Sequence, residues 1–413
     1  MHRTTLTRAA AALTLTIVAA ACGGSSPTSQ APTEPAETSS EPAPATNTAN
    51  TGASALRATL TSVLQEHEYL AGIAIYAAVK TGADSDVTGS ALGALGENTD
   101  ALSGAIGSIY GDEAGKAFKP LWEKHIGFFV SYTLGKAGGD DAAAAKARKD
   151  LDEYRSDFGA FLASANPNLT KAAVAKALIP HVESTFTAID AVVAGKANAF
   201  DLLQVAAGKL PAVAEVLAGA ISAQFPEMFD GDASSGGAGL RATLTAALQE
   251  HEYLAGITVF NGVNFGLDSD EFVAAADTLD TNSKALASAI GSVYGEGAGK
   301  AFLPLWRKHI GFFVDYTKAA ATGDDAGKAA ARTALDEYRA DFGAFLASAN
   351  PNLTKQAVAE ALIPHVDSTF DAIDAVVAKD ASQFSKLREA AGKLPAIAEV
   401  LAGAIVAQFP ETF

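Results

Sequence analysis

The chain has 413 residues, 49% of them hydrophobic, which is enough for two domains with buried cores. Its formal net charge of −17 and its pI near 4.8 argue against a nucleic-acid partner, because phosphate binding needs a basic surface. An acidic surface also repels anionic lipid headgroups and mildly favours cations.

Residues 1–21 are typical of a secretory signal peptide. Arg3 and Arg8 precede about a dozen apolar residues, a stretch too short to span a bilayer. Cys22, the only cysteine, follows directly in a context that resembles the lipobox of bacterial lipoproteins, with Ala19 where that motif usually has leucine. We therefore expect an extracytoplasmic protein that a lipid on Cys22 anchors to the cell membrane. A plain signal peptide beside a chance cysteine is the alternative.

Residues 22–53 combine Cys22 with a linker that is rich in small and polar residues and has no aromatic residue. Such a composition cannot bury enough surface to offset its ordering entropy, so it predicts a disordered tether. From Leu56 onward each residue is matched by a counterpart 184 positions later, without a gap. Roughly 70% of the paired positions are identical, which indicates a duplication.

The pattern within each repeat predicts an all-α fold, because alanine, leucine and lysine dominate and glycine, asparagine and proline fall at the breaks. We expect two tandem helical-bundle domains, 54–229 and 239–413, joined by a glycine-serine linker at 230–238. Each would contain about six helices, and short connections favour antiparallel neighbours. In the first repeat the helices are expected at about 54–80, 85–108, 113–137, 140–164, 169–194 and 198–225.

Three histidines in each repeat lie on faces that are expected to be buried. They are His67, His125 and His181 in the first repeat and His251, His309 and His365 in the second. A buried imidazole needs partners for both ring nitrogens, and these apolar faces offer few polar groups. Coordination of one metal ion by all three rings would supply a partner to each. Three imidazoles with an open fourth position suit copper, zinc or iron rather than calcium or magnesium.

The sequence thus predicts one three-histidine metal site per repeat. The alternative is that the histidines lie at separate levels of the bundle, each bonded to a carbonyl, a tyrosine or an acid. A shared site requires their nitrogens to approach to roughly 3–4 Å of each other.

Glutamates and tyrosines near the histidines are candidates for orienting the imidazoles. Glu66 and Glu68 lie about 100° to either side of His67 on a helix. One of them could reach the metal, or it could orient an imidazole by a hydrogen bond without contacting the metal; Glu68, with Glu252 in the second repeat, is the candidate for the second role. The pattern favours solvated side chains for both glutamates. Tyr132 and Tyr316 follow a histidine by seven residues on the buried face and are candidates of the same kind, or ordinary core tyrosines.

Two prolines lie close to the histidines of the first repeat. Pro120 precedes His125 by five residues, and Pro180 comes directly before His181. Each proline either kinks a helix or occupies the first turn of a new one.

The sequence contains no familiar catalytic motif. Glu-x-x-His and His-Glu-x-x-His are absent, which argues against a di-iron oxidase and a zinc protease. YGDEAGKAF at 110–118 lacks the serine or threonine of a phosphate loop and is predicted to be an interhelical turn.

The motifs HEYLAGI, W(E/R)KHIGFFV(S/D)YT and ALIPHV(E/D)STF resemble those of a group of secreted bacterial helical-repeat proteins. Some members carry the label "copper amine oxidase N-terminal domain". That label fits a separate domain appended to other members, so the resemblance implies neither oxidase chemistry nor catalytic residues. It covers 55–229 and 239–413.

The leading hypothesis is a lipid-anchored, non-catalytic protein that captures, buffers or delivers copper or zinc. One alternative is a mononuclear copper or iron redox enzyme. Another is a helical scaffold or adaptor at the cell envelope whose histidines only pack. The sequence indicates no particular protein partner.

Overall fold

The computed structural model describes residues 47–413, which belong to one compact unit. The predicted signal peptide, Cys22 and the tether up to residue 46 lie outside this part of the chain. Residues 47–413 form 16 α-helices and one short 3-10 helix, Thr48–Asn50, and contain no strand. The all-α prediction is confirmed.

The helices of the first repeat are α1 (Gly52–Thr81), α2 (Asp86–Tyr110), α3 (Asp112–Gly138), α4 (Asp141–Ala165), α5 (Lys171–Ala177), α6 (Ile179–Val193), α7 (Ala199–Ala207) and α8 (Leu210–Gln224). Those of the second repeat follow the same order: α9 (Gly236–Phe265), α10 (Asp270–Tyr294), α11 (Glu296–Thr322), α12 (Asp325–Ala349), α13 (Lys355–Ala361), α14 (Ile363–Val377), α15 (Gln383–Ala391) and α16 (Leu394–Gln408).

Side-chain caps fix several helix starts. The Ser85 hydroxyl accepts a hydrogen bond from the Thr88 backbone N–H at 3.1 Å and so begins α2. The Asp140 carboxylate accepts one from the Ala143 N–H at 2.9 Å and begins α4. Gly139 ends α3 in the left-handed conformation, with φ of 71°, which a residue with a Cβ would adopt at a cost.

Two of the six helices expected per repeat are each divided in two. Pro180 lies in the first turn of α6, so the expected helix 169–194 breaks before it into α5 and α6. Pro211 does the same at the start of α8. Proline is tolerated in the first turn of a helix, because the backbone N–H that it lacks would have no intrahelical partner there. Pro120, in contrast, lies inside α3.

The two repeats pack directly on each other through their central helices α1 and α9. This contact is compatible with tandem homologous domains, and it joins them into one body. Close approach within each repeat depends on glycine: a Cβ at Gly72 of α1 would clash with the Leu203 side chain of α7. Gly256 and Leu387 repeat this contact in the second repeat.

The last residues of the expected tether, 47–53, are folded. The Asn47 amide donates to the carbonyl of Gly403 at 2.8 Å, and the Thr48 hydroxyl donates to the carbonyl of Phe413 at 2.9 Å. Ala49 is completely buried. Composition did not predict this order, because it comes from contacts with the far end of the chain.

The stretches 199–224 and 383–408 are long and apolar enough to be candidate membrane spans. About half of each, 50% and 56%, is buried inside the fold. Core helices pass the same length and hydropathy test, so this is weak support for membrane crossing.

Candidate metal centre

The three histidines of each repeat come from three different helices. His67 lies in the middle of α1, His125 in the middle of α3 and His181 in the first turn of α6. All are buried, with 3–5% of their surface exposed, and their counterparts in the second repeat are buried to the same degree. The predicted inward orientation of the histidines is confirmed.

Two of the three imidazoles meet directly. The Nε2 atoms of His67 and His125 are 3.1 Å apart, and those of His251 and His309 are 3.2 Å apart. Two lone pairs at this distance repel each other, so a proton or a cation must lie between them. The separation also falls in the 3–4 Å range of two nitrogens that bind one ion at about 2.0–2.1 Å.

A carboxyl group and a hydroxyl group lie beside the third imidazole. Nδ1 of His181 lies 3.4 Å from Oε2 of Glu68, and the Thr185 hydroxyl donates to Oε1 of Glu68 at 3.0 Å. In the second repeat the distance from His365 Nδ1 to Glu252 Oε2 is 3.5 Å. Glu68 and Glu252 therefore contact an imidazole, as the sequence suggested for one of the two glutamates around His67.

The third histidine ring lies further from the two paired rings than these two rings lie from each other. The ring centroids of His251 and His309 are 5.2 Å apart, whereas those of His251 and His365 are 6.4 Å apart. Across residues 47–413 no group of three or more His, Cys, Asp or Glu side chains is arranged to hold a metal ion. The three-ligand set thus remains a prediction.

The expectation that Glu66 and Glu68 are solvated is wrong. They are only 4% and 2% exposed. A hydrophobic stripe on α1 suggests one buried side, but α6 covers the side with Glu68 and the second repeat covers the side with Glu66. Glu66 accepts hydrogen bonds from Arg388 at 2.6 Å and from Tyr253 at 3.3 Å.

Tyr132 and Tyr316 are buried but hydrogen-bond elsewhere. The Tyr132 hydroxyl donates to Asp190 at 2.9 Å, and the Tyr316 hydroxyl donates to Asp374 at 2.9 Å. Each tyrosine lies seven residues after its histidine along α3 or α11, so its hydroxyl is displaced along the helix from the imidazoles. Their expected role in orienting a histidine is not seen in the hydrogen bonds of the described chain.

Burial keeps the imidazoles neutral. It lowers the pKa of His125 to about 3, with a further contribution from His181, and lowers the pKa of His181 to about 4. The pKa of His67 is also well below its ordinary value, because of burial and both neighbouring imidazoles. Burial raises the pKa of Glu68 to about 8. At neutral pH the rings therefore keep lone pairs for a metal, and the Glu68 carboxyl holds its proton.

Several buried polar atoms around the pair have no hydrogen-bond partner within residues 47–413. In the first repeat they include Nδ1 of His67, Nδ1 of His125, Nε1 of Trp122 and the hydroxyl of Tyr154. The equivalent four atoms of the second repeat are likewise without partners. Each such group costs about 1–3 kcal/mol, so a cluster of them points to a missing ion, water or ligand.

Two further side chains with a polar atom, Trp122 and Tyr154, lie beside His125, and only Tyr154 is unexpected from the sequence. The Trp122 ring lies 4.5 Å from that of His125, and Tyr154 stacks on His125 at 5.4 Å. Trp122 precedes His125 by three residues, so helical spacing predicts that it shares the buried face of His125. Tyr154 comes from α4, and no local signal connects it to the histidines.

Comparison of the chain with protein-family models, with curated proteins and with solved structures found no match. The resemblance to secreted helical-repeat proteins therefore stays a prediction.

Proposed function

We propose that each repeat binds one transition-metal ion, copper or zinc, through its three histidines. The protein would capture or buffer this metal outside the membrane to which a lipid on Cys22 anchors it. The observation that carries the proposal is the pair of facing Nε2 atoms, 3.1 Å apart in the first repeat and 3.2 Å apart in the second.

The contact between Glu68 and His181 supports a metal rather than a shared proton. A histidine that binds a metal generally donates its other ring N–H to a carboxylate or a carbonyl, which fixes the ring and its tautomer. A hydrogen bond from His181 Nδ1 to Glu68 would leave Nε2 free to bind the ion. Nothing in an ordinary packed core requires a carboxyl group at this position.

Completion of the site requires a small movement of the third ring. In the second repeat the centroid of the His365 ring is 6.4 Å from that of His251, against 5.2 Å between His251 and His309, so the third ring has to approach the pair. His181 and His365 lie in the first turn of their helices, next to the breaks at Leu178 and Leu362. A helix start beside a break can shift more easily than the middle of α1 or α3.

Charge balance is consistent with a divalent ion. A cation in an apolar interior needs a nearby anion, and Glu68 and Glu252 are the carboxyl groups that contact the histidines. The positive charge of the ion would lower their raised pKa, so binding should release protons. The net charge of −17 also favours the approach of cations from solution.

Elemental analysis of the purified full chain after equilibration with copper or zinc tests the proposal. We expect two ions per chain, and none in the double variant His125→Ala/His309→Ala. The control Tyr132→Phe/Tyr316→Phe should retain both ions, because these hydroxyls bond to aspartates instead. A wild-type chain without metal, or a stoichiometry that the histidine variant leaves unchanged, would overturn the proposal.

A further inference from the structure

A cavity of 170 Å³ leads from the surface of the first repeat to His67, one of the three histidines of its cluster. At its inner end it is lined by His67, Glu68 and Thr185. At its outer end it is lined by Leu92, Val130 and Leu134, which are 45%, 40% and 57% exposed. We call this cavity the α1–α3 channel, because helices α1, α2 and α3 form most of its wall.

The wall of the α1–α3 channel is apolar along its length. Ile75, Leu95, Ile126 and Phe129 contribute to it. The lining hydroxyl of Thr133 donates to the carbonyl of Phe129 at 2.8 Å, so its proton is already engaged. Glu68 at the inner end is the one acidic or basic side chain other than His67 among the lining residues. A charged molecule would lose its hydration here without compensation.

Larger side chains take up this space in the second repeat. Leu267 stands where the first repeat has Ala83, and Phe272 stands where it has Thr88. Both side chains pack over Gly262, the counterpart of Ala78: a Cβ at Gly262 would lie 3.0 Å from Leu267 and 3.1 Å from Phe272. Beside His251 and Glu252 there is a cavity of only 30 Å³, room for about two water molecules.

We propose that the α1–α3 channel binds one small, uncharged, largely apolar molecule next to the histidine cluster of the first repeat, and that Leu267 and Phe272 close the equivalent route in the second. An apolar cavity of about 150 Å³ is known to hold benzene, so the size fits a molecule of that class. The role of the channel rests on the proposed function, because the cluster at its inner end is the candidate metal centre. The side of the first centre at His67 and Glu68 would then accept an outside ligand, whereas the equivalent side of the second centre, at His251 and Glu252, would be closed.

Fluorobenzene is a suitable probe, and its binding to the metal-free full chain can be followed by fluorine NMR. We expect saturable binding of one molecule per chain. The variant Ala78→Gly/Ala83→Leu/Thr88→Phe carries the residues of the second repeat and should abolish binding. The reverse variant Gly262→Ala/Leu267→Ala/Phe272→Thr should raise the stoichiometry to two.

Circular dichroism shows whether each variant is folded, and the two variants test the channel from opposite directions. The inference is overturned if the wild-type chain binds no fluorobenzene, or if neither folded variant changes the stoichiometry. The metal content of the same samples shows whether a negative result concerns the channel or the proposed metal centre. Two bound ions without fluorobenzene binding would refute the channel alone, and fluorobenzene binding without bound metal would refute the metal centre alone.

Discussion

The octapeptide QEHEYLAG occurs in both α1 and α9, and the two occurrences have partly different surroundings. Their histidines and their second glutamates, Glu68 and Glu252, make nearly the same contacts. Their first glutamates do not: Glu66 accepts a hydrogen bond from the Arg388 guanidinium at 2.6 Å, whereas Glu250 accepts one from the Gln204 amide at 2.6 Å. Gln204 and Arg388 are equivalent positions of the two repeats.

This difference shows which parts of the duplicated domain diverged. The histidine clusters stayed alike, while the contact between the repeats and the route to each cluster changed. Tyr69 and Tyr253 stack at 5.2 Å across the contact, and the Tyr69 hydroxyl donates to Glu250 at 3.1 Å. Burial raises the pKa of Glu250, which has hydrogen-bond donors around it but no cation.

The largest expected effect on stability comes from removal of the cation beside Glu66. Arg388→Ala should lower the free energy of unfolding by about 3 kcal/mol, because it leaves a buried carboxylate without its partner. Gln204→Ala removes a neutral donor from Glu250 and should cost about 1 kcal/mol. Urea denaturation of both variants measures the difference. Equal losses would show that the two glutamates are held in the same way.

A second prediction concerns the pH dependence of the metal-free chain. The folded pKa values of His125 and His309 are about 3 and those of His181 and His365 about 4, against an ordinary value of 6.5. Between these values the unfolded chain binds more protons than the folded chain, so stability should fall as pH falls from 6.5 towards 4.

The glutamates act in the opposite direction. Burial raises the pKa of Glu68 and Glu252 from 4.5 to about 8, so the folded state binds more protons between these values, and this contribution to stability declines as pH rises from 4.5 to 8 and levels off above 8. Thermal unfolding against pH should therefore show a maximum near 6.5, and Glu68→Gln/Glu252→Gln should weaken the alkaline decline. A melting temperature that does not change between pH 5 and 6.5 would contradict the assignment of buried neutral histidines.

The smallest expected effect is an increase in the free energy of unfolding. Gln204→Arg would give Glu250 the cation that Glu66 already has, and should stabilise the chain by about 1 kcal/mol. The pKa of Glu250 should fall at the same time, because an adjacent guanidinium favours the carboxylate. Chemical denaturation measures the first change, and NMR titration of the carboxyl measures the second. A destabilised variant would mean that the site has no room for the longer side chain.

Local patterns predicted what depends on a single helix. The inward orientation of His67, His125 and His181 follows from the apolar residues at helical spacing around each one, and the helix ends follow from caps and glycines. The burial of Glu68 depends on α6, that of Glu66 depends on the second repeat, and the stacking of Tyr154 on His125 depends on α4. A sequence pattern does not show which distant helix covers a given face, so these contacts were missed.

X-ray absorption spectroscopy of the metal-loaded full chain counts the imidazoles that bind each ion. We expect three imidazole nitrogens at about 2.0–2.1 Å from each ion, and two in the variant His181→Ala/His365→Ala. Fewer than three imidazoles in the wild-type chain, or a spectrum that this variant leaves unchanged, would contradict the three-histidine centre.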